Sequence, residues 1–311
     1  VAVVVPSWNS LELLPACLDS LAAQDVALEV LVVDNGSSDG SVELLRERGV
    51  RHLALPRNVG FAPAINLGVR ETRAPAVLVL NADTVLEPGS IAALAAALAA
   101  DPRLGGVQPR LLQLEGGAGG SVDSARLYSA GQALTRDGRA LESGAGEEQR
   151  PELLRPREVF GVCGAACLLR RELFSELGGY DERYFAFYED VDLNVRGRIS
   201  GWRFAYVPEA VVWHVGNASW SSGFSRPGAE NARLVARNRL ATQLKFMPWG
   251  SLPRIAAVEV GALLRAARQR RFLATLAGKL AVLPWLPALL RERRTLGREG
   301  DLGAARRWLG A

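Results

Sequence analysis

Three carboxylates, Glu189, Asp190 and Asp192, fall within four residues directly behind an aromatic run, in YFAFYEDVDLNVR (184–196). Aromatic residues make up only 7% of the chain, so the cluster stands out. Aromatics predict burial, and a buried carboxylate is costly unless something uses it. Asp192 has an ordinary use at hand, because Arg196 is one helical turn further on and would pair with it on the helix surface. Glu189 and Asp190 still need an explanation.

A second set of polar residues stands where apolar runs end. VAVVVPSWN (1–9), LEVLVVDNGSSDGS (28–41), RHLALP (51–56) and APAVLVLNADT (74–84) read as buried strands. Helical spacing fills 11–24, 41–49, 62–72 and 88–102 between and after them. Strands apolar on both faces that alternate with helices predict an α/β fold, a mostly parallel sheet covered by helices. In such a sheet ligands bind beyond the carboxyl ends of the strands. Asn9, Asp34, Arg57 with Asn58, and Asn81 with Asp83 occupy those exits and should converge on one edge.

Their chemistry suits a nucleoside diphosphate. Asp34 can accept hydrogen bonds from a base or a ribose hydroxyl, Arg57 can pair with phosphate oxygens, and Asp83 can hold a Mg²⁺ or Mn²⁺ ion that bridges two phosphates. Each also has a plainer use. Asp34 fits the DNGSSDG turn and Arg57 can be a solvated surface residue. Asp83 lies too far from Pro88 for a tight helix cap. The chain has no Gly-x-Gly-x-x-Gly after its first strand and no Gly-Lys-Ser loop, which argues against dinucleotide dehydrogenases and P-loop NTPases.

Beyond residue 104 the pattern changes. Residues 115–152 are Gly-rich and polar and predict loops with a small hairpin. A strand and helix return over 159–182, a helix over 191–202 and a strand over 203–216. From residue 245 the chain carries thirteen basic and four acidic residues, a net of +9 against −5 for residues 1–244. That asymmetry predicts a body with a basic tail that meets an anionic partner. Residues 255–294 alternate apolar faces with Arg clusters around Trp285, as an amphipathic element on an anionic membrane would; helices packed on the body are the plainer reading. Lys279, Pro284 and Pro287 interrupt 272–290, so no transmembrane span is expected. Cys17, Cys163 and Cys167 are too few for a zinc site without further ligands and fit a reduced, cytoplasmic setting. No signal peptide is visible.

Taken in order, VVVPSWNSLELLPACLDSL, VLVVDNGSSDGS, LPRNVGFAPAINLGV, VLNADT, GAACLLRR, GGYDERYFAFYEDVDLNVRGRISGW and VPEAVVWHVG resemble family 2 inverting glycosyltransferases, and more narrowly the bacterial rhamnosyltransferase-like branch that builds cell-wall and surface polysaccharides. The resemblance covers roughly residues 1–245 and implies the GT-A fold, a Rossmann-like nucleotide-sugar-binding sheet, split into a nucleotide-sugar-binding half (1–104) and an acceptor-binding half (105–245). Residues 246–311 would form a basic, helical, membrane-associating extension. Pro6, Trp8 and Asn9 match the nucleobase pocket and Asp34 the nucleoside-binding acid. Arg57, Asn58, Gly60 and Asn66 match the segment beside the diphosphate and sugar. Asn81 and Asp83 match the DxD metal motif with its first Asp replaced, which leaves Asp83 as the main acidic ligand. His214 matches a second metal ligand, with a packed strand-end histidine as its alternative. Asp190 matches the catalytic base, with Glu189 second, and the aromatics Tyr184, Phe185, Phe187, Tyr188 and Trp202 would stand on the acceptor side.

The reading that follows is a Mg²⁺- or Mn²⁺-dependent inverting transferase at the inner face of the cell membrane. Its donor would be a nucleotide sugar, with dTDP-L-rhamnose favoured over UDP-hexoses or GDP-mannose. Its acceptor would be a lipid-linked saccharide and its third partner an anionic membrane surface, with no nucleic acid; the oligomeric state stays open. A catalytically silent nucleotide-sugar-binding partner protein would not need both Asp83 and Asp190. A nucleotidyltransferase would want a Gly-rich basic loop where PSWNS stands.

Overall fold

The computed structural model describes residues 1–114, 122, 125–215, 227–299 and 307–310. Four parallel strands, β1 (Ala2–Ser7), β2 (Glu29–Asp34), β3 (His52–Ala54) and β4 (Ala76–Leu80), stand in the order β3-β2-β1-β4. Beyond β4 the sheet is mixed. β11 (Ala166–Arg170) runs antiparallel between β4 and β6 (Leu104–Gln113), and β12 (Arg203–His214) runs parallel to β6. β5 (Thr84–Leu86) and β10 (Arg157–Val159) pair with β12, and β7 (Leu127–Ser129) with β6.

The two-residue period of the strands divides the core. Val3, Val5, Val32, Leu78 and Leu80 face one cluster, and Ala2, Val4, Leu31, Val33, Val77 and Val79 face the other. Helices α1 (Leu14–Ala22), α2 (Ser41–Glu47) and α4 (Ser90–Ala100) cover the first face. Helices α3 (Phe61–Arg70) and α5 (Arg171–Glu176) cover the second. Each fully buried Leu or Val contributes about 2 kcal/mol, so both faces anchor the strand exits. Close approach on the second face depends on Gly68, where a Cβ would lie 2.3 Å from Val4 Cγ1.

The expected hairpin is present: β8 (Gln132–Thr135) pairs antiparallel with β9 (Ala140–Glu142). A feature the sequence did not announce joins it. β13 (Leu309–Gly310) adds parallel to β8, and Trp308 stacks on the Arg198 guanidinium at 4.1 Å, so the chain end returns to the body. Residues 115–121, 123 and 124 of the Gly-rich segment lie outside the described residues.

Helix α6 (Glu189–Ile199) packs beside the long α7 (Pro227–Phe246), and α8 (Leu252–Arg268), α9 (Phe272–Leu280) and α10 (Leu286–Glu299) follow. One expectation needs correction here. Residues Phe272–Leu296 are helical enough and apolar enough to cross a membrane by length and composition, with 22% of the apolar window buried. Pro284 and Pro287 do not break this stretch because each sits at the start of a new helical segment, where proline is tolerated. The stretch nonetheless docks on α7: a Cβ at Gly278 would lie 2.2 Å from the Arg233 carbonyl oxygen.

Candidate functional site

The strand exits converge as the topology requires. At the switch between β1 and β4, a cleft of about 80 Å³ is lined by Pro6, Trp8, Asn58, Gly60 and Asn81 together with Phe185. Asp34 stands one strand over and divides its carboxylate between two jobs. Oδ2 accepts from Gly36 N at 3.2 Å and Ser37 N at 3.0 Å and so shapes the turn. Oδ1 is buried without a partner and can receive a ligand. Asn9 ties the β1 exit to that turn, accepting from Ser38 N at 2.9 Å, and Arg57 is exposed and outside the lining of the cleft. Asn35, which carried no sequence signal beyond turn chemistry, clamps the third exit: its Nδ2 donates to Gly60 O and its Oδ1 accepts from Val59 N. Gly60, at φ 102°, admits the Phe185 ring, whose Cδ2 would lie 2.6 Å from a Cβ there.

A second cavity of about 260 Å³ adjoins the first through Asn81 and Phe61. Asp83 and His214 line it. They meet because the end of β12 pairs with β5, His214 opposite Thr84. His214 Nε2 lies 3.2 Å from Asp83 Oδ1 and 3.3 Å from Asn81 Nδ2. Both Asp83 and His214 are buried, yet Asp83 Oδ1 has no hydrogen-bond partner of adequate geometry. An orphaned carboxylate oxygen beside an imidazole nitrogen fits a shared divalent cation. No cluster of three His, Cys, Asp or Glu residues able to hold a metal occurs among the described residues, so the remaining ligands would be phosphate oxygens and water, the habit of Mg²⁺ and Mn²⁺ bound with a diphosphate.

Asp190 stands in the wall of the same cavity, in the first turn of α6, where the helix dipole favours an anion. Its Oδ2 accepts from Gly164 N at 2.9 Å and Gln132 Nε2 at 2.8 Å, and its Oδ1 from Val191 N at 2.8 Å. Oδ1 therefore keeps a lone pair for a proton. Burial raises Asp190 above the ordinary carboxylate range despite these donors. Glu189 is more deeply buried, its Oε2 has no partner, and burial and the Asp190 charge push it far up. Glu142, from the hairpin, also lines the cavity, with Oε2 2.5 Å from Ser129 Oγ and Oε1 3.0 Å from Gln132 Nε2. A lone Glu in a Gly-rich stretch gives no sequence signal; the β8–β9 register delivers it.

The loop before Asp190 is strained. Phe185, Phe187 and Tyr188 all have positive φ, at 66°, 69° and 70°. Asn238 of α7, fully buried, holds the loop by donating from Nδ2 to Tyr184 O, Ala186 O and Phe187 O at 2.9, 2.8 and 2.7 Å. Phe187 and Tyr188 wall the second cavity and Phe185 the first.

Four expectations are corrected by the geometry. Tyr184 turns away from the acceptor side: it is buried, with its hydroxyl 2.9 Å from Thr242 Oγ1. Asn66 is satisfied within the core, where it accepts from Tyr180 N and donates to Tyr180 O and Glu182, leaving nothing for a donor. Trp202 precedes β12 and so stands at the opposite end of that strand from His214, with its indole N–H on Glu176. Asp192 does pair with Arg196, at 2.6 Å, but in the interior, where Lys245 Nζ also binds it at 2.7 Å.

Residues 2–178 match glycosyl transferase family 2. Among similar curated proteins, the N-acetylglucosaminyl-diphospho-decaprenol L-rhamnosyltransferase of Mycobacterium tuberculosis (strain ATCC 25618 / H37Rv) is 34% identical over 214 residues, 62% of this chain and 68% of that protein. An N-acetylglucosaminyltransferase of Sinorhizobium fredii is 30% identical over 322 residues, 96% of this chain and 73% of that protein. In fold, GalNAc-T7 with UDP, GalNAc and Mn²⁺ superimposes with a TM-score of 0.61 at 19% identity, over 79% of this chain and 47% of that one. The mannosyltransferase PcManGT from Pyrobaculum calidifontis, with GDP-Man and Mn²⁺, gives 0.53 at 20% identity, over 98% and 85%. At such identities these two speak for the fold alone.

Proposed function

The chain belongs to glycosyl transferase family 2 and is a glycosyltransferase with the GT-A fold, and from that premise we propose that it transfers a sugar with inversion from a nucleotide donor to a hydroxyl of a lipid-linked saccharide, with Asp190 as the base. The observation that carries this reading is that Asp190 lines the same cavity as the Asp83 and His214 pair. A diphosphate at Asp83 would place its sugar in that cavity, facing the carboxylate. The acceptor oxygen attacks the anomeric carbon, its proton passes to Asp190 Oδ1, and the bond to the diphosphate breaks with the electron pair leaving on phosphate. A divalent cation held by Asp83 and His214 would neutralise charge on that leaving group. Asp34 Oδ1 would take the nucleoside and Arg57 a phosphate, which assigns residues 1–104 to the donor and 105–245 to the acceptor.

L-Rhamnose is favoured by the mycobacterial relative, whose name bears on the lipid-linked acceptor too, and dTDP-L-rhamnose is the first donor to try. The rhizobial relative keeps N-acetylglucosamine as the second sugar to try, beside UDP-hexose and GDP-mannose donors. For the acceptor's location, α8 and α9 offer a surface to an anionic bilayer at the inner face of the cell membrane. Leu264 and Leu273 are 63% and 78% exposed, and Val260, Phe272 and Leu280 are exposed with them, alongside exposed Arg265, Arg268, Arg270 and Arg271. Lys245, Lys279 and Arg293 do not belong to that surface, being turned inward on ion pairs or backbone carbonyls.

The test is donor binding and hydrolysis across dTDP-, UDP- and GDP-sugars with Mn²⁺, Mg²⁺ or EDTA, for wild type and Asp190→Asn. Metal-dependent hydrolysis of one donor, lost in Asp190→Asn with binding kept, supports the reading and names the sugar. Tight binding without turnover, lipid-linked acceptors included, would favour a silent binder. Flotation with phosphatidylglycerol liposomes tests the membrane surface; equal recovery of the full chain and of a Leu264→Glu, Leu273→Glu variant would remove it.

A further inference from the structure

Two polar side chains of the reaction cavity have no part in the scheme above. Gln132 and Glu142 stand opposite each other in the β8–β9 register. Gln132 is 3% exposed, and its Nε2 spends one N–H on Glu142 Oε1 at 3.0 Å and the other on Asp190 Oδ2 at 2.8 Å. Its Oε1 accepts from Asn194 Nδ2 at 2.8 Å, and Asn194 Nδ2 also donates to Val162 O at 2.9 Å. This chain sets the orientation of both amides, because a flipped Gln132 would turn its carbonyl oxygen on two carboxylates. The fit depends on Gly161, where a Cβ would lie 2.3 Å from Asn194 Cγ.

We propose that Gln132 and Glu142 are positioning residues for Asp190: one buried amide ties two carboxylates together, so that the proton on Glu142 governs how strongly Asp190 draws the proton of the acceptor hydroxyl. This rests on Asp190 being the base. The groups facing Glu142 leave its charge unopposed. They are Asp190 and Glu189 from α6, Tyr128 and Ser129 from β7, and Cys163 from the segment before β11, with Asp83 and His214 in the lining of the same cavity. No Lys or Arg lines the cavity among the described residues. Burial and the Asp190 charge push Glu142 up to about 7. Two interacting carboxylates release their protons in separate steps. Below about pH 7 Glu142 is the neutral acid. Above it Glu142 is negative, and a negative neighbour favours the protonated form of Asp190, which makes it the stronger base. The Gln132 N–H groups act in the opposite sense, since they stabilise both anions.

The experiment is a ¹³C carboxyl NMR titration of the full chain, with the Asp190 signal assigned by its loss in Asp190→Asn. In wild type the Asp190 carbon should show its own step and a second inflection near pH 7. Glu142→Gln, which keeps the shape and removes the charge, should abolish that inflection. Gln132→Met should move both steps about one unit to higher pH. With the donor identified, kcat/KM should rise roughly three- to tenfold across the second inflection in wild type and not in Glu142→Gln. Asp190 signals that titrate alike in wild type, Glu142→Gln and Gln132→Met would overturn the proposal, since a merely structural hairpin would not move them. If one variant loses its near-ultraviolet circular dichroism, the other decides, because the two act on Asp190 in different ways. Full transfer by Asp190→Asn would instead overturn the base assignment, and the titrations would still report the coupling.

Discussion

Asp190 and Asp192 stand two residues apart on α6 and meet opposite surroundings. Asp190 shares its cavity with Glu189 and Glu142 and with no lysine or arginine among the described lining residues. Asp192, fully buried, accepts from Arg196 Nε at 2.6 Å and Lys245 Nζ at 2.7 Å. The cationic side extends outward: Asp181 meets Arg183 and Lys245, and Glu292 of α10 meets the same two. Glu259 of α8 repeats the arrangement with Arg239 and Lys279. The only two lysines of the chain thus both serve interior ion clusters that fasten the C-terminal helices to α7. A buried acid provided with a cation acts as a fastener; one left without is held in a state that a reaction can use.

The two environments should separate function from stability. Asp190→Asn is expected to lower transfer about a thousandfold, with donor affinity and unfolding midpoint close to wild type; a loss of stability as large as that on the fastening side would erase the distinction. Lys245→Met should do the reverse. It leaves Asp192 and Asp181 short of a cation in the interior and should cost about 3–5 kcal/mol in urea unfolding. Adding Asp192→Asn to Lys245→Met should recover part of that loss, and an additive double variant would show that the two do not interact.

Asn238→Ala joins the two sides, because α7 carries both Asn238 and Lys245. It strands three carbonyls of the strained loop and should cost about 2 kcal/mol, with kcat falling further than the affinity for donor. A change in stability alone would mean that the loop holds its shape without α7. The acid limb is smaller. Burial alone would raise Asp181, but Arg183 and Lys245 outweigh it and hold it at about 2. Its folded value lies below its unfolded one, so its contribution is present above about pH 4 and is lost as pH falls towards 2. That contribution is of order 2 kcal/mol, and unfolding curves of wild type and Asp181→Asn should converge across that window.

The strand exits were legible in the sequence because their residues sit on the backbone ends of apolar strands. Asn9, Asp34, Arg57, Asn58, Asn81 and Asp83 were found from where β1 to β4 stop, and parallel pairing brings those ends together whatever the side chains do. The acceptor side depends on contacts far apart in sequence. Asn238 reaches a loop some fifty residues earlier, and Gln132 reaches Asp190 across 58 residues. Neither has a local pattern. Asn66 and Trp202 failed for the same reason, since a matching segment reveals nothing of which way an amide or an indole faces once α3 and β12 are packed. The tail was half legible: its charge was visible, but the use of Lys245, Lys279 and Arg293 inside the molecule was not.

Glu189→Gln tests the comparison at its weakest point. Glu189 belongs to the unopposed side, yet it is buried at 6% exposure and its Oε2 has no partner. Burial first, and the Asp190 charge second, raise it well above the ordinary carboxylate value. That raise favours the protonated form, which has no proton to take up from the acceptor, and a neutral glutamine is close to a copy of it. Transfer should fall no more than several-fold. The stability change has a definite sign. A carboxyl raised in the folded state contributes fully below its unfolded value, and that contribution is lost as pH rises towards the folded value. Glutamine has no such dependence, so wild type and variant should unfold at the same urea concentration near pH 4. The variant should then pull ahead as pH rises above the ordinary carboxylate range. A variant that loses stability with rising pH alongside wild type would show that Glu189 has a cation or donor beside it, and would move it to the fastening side of α6.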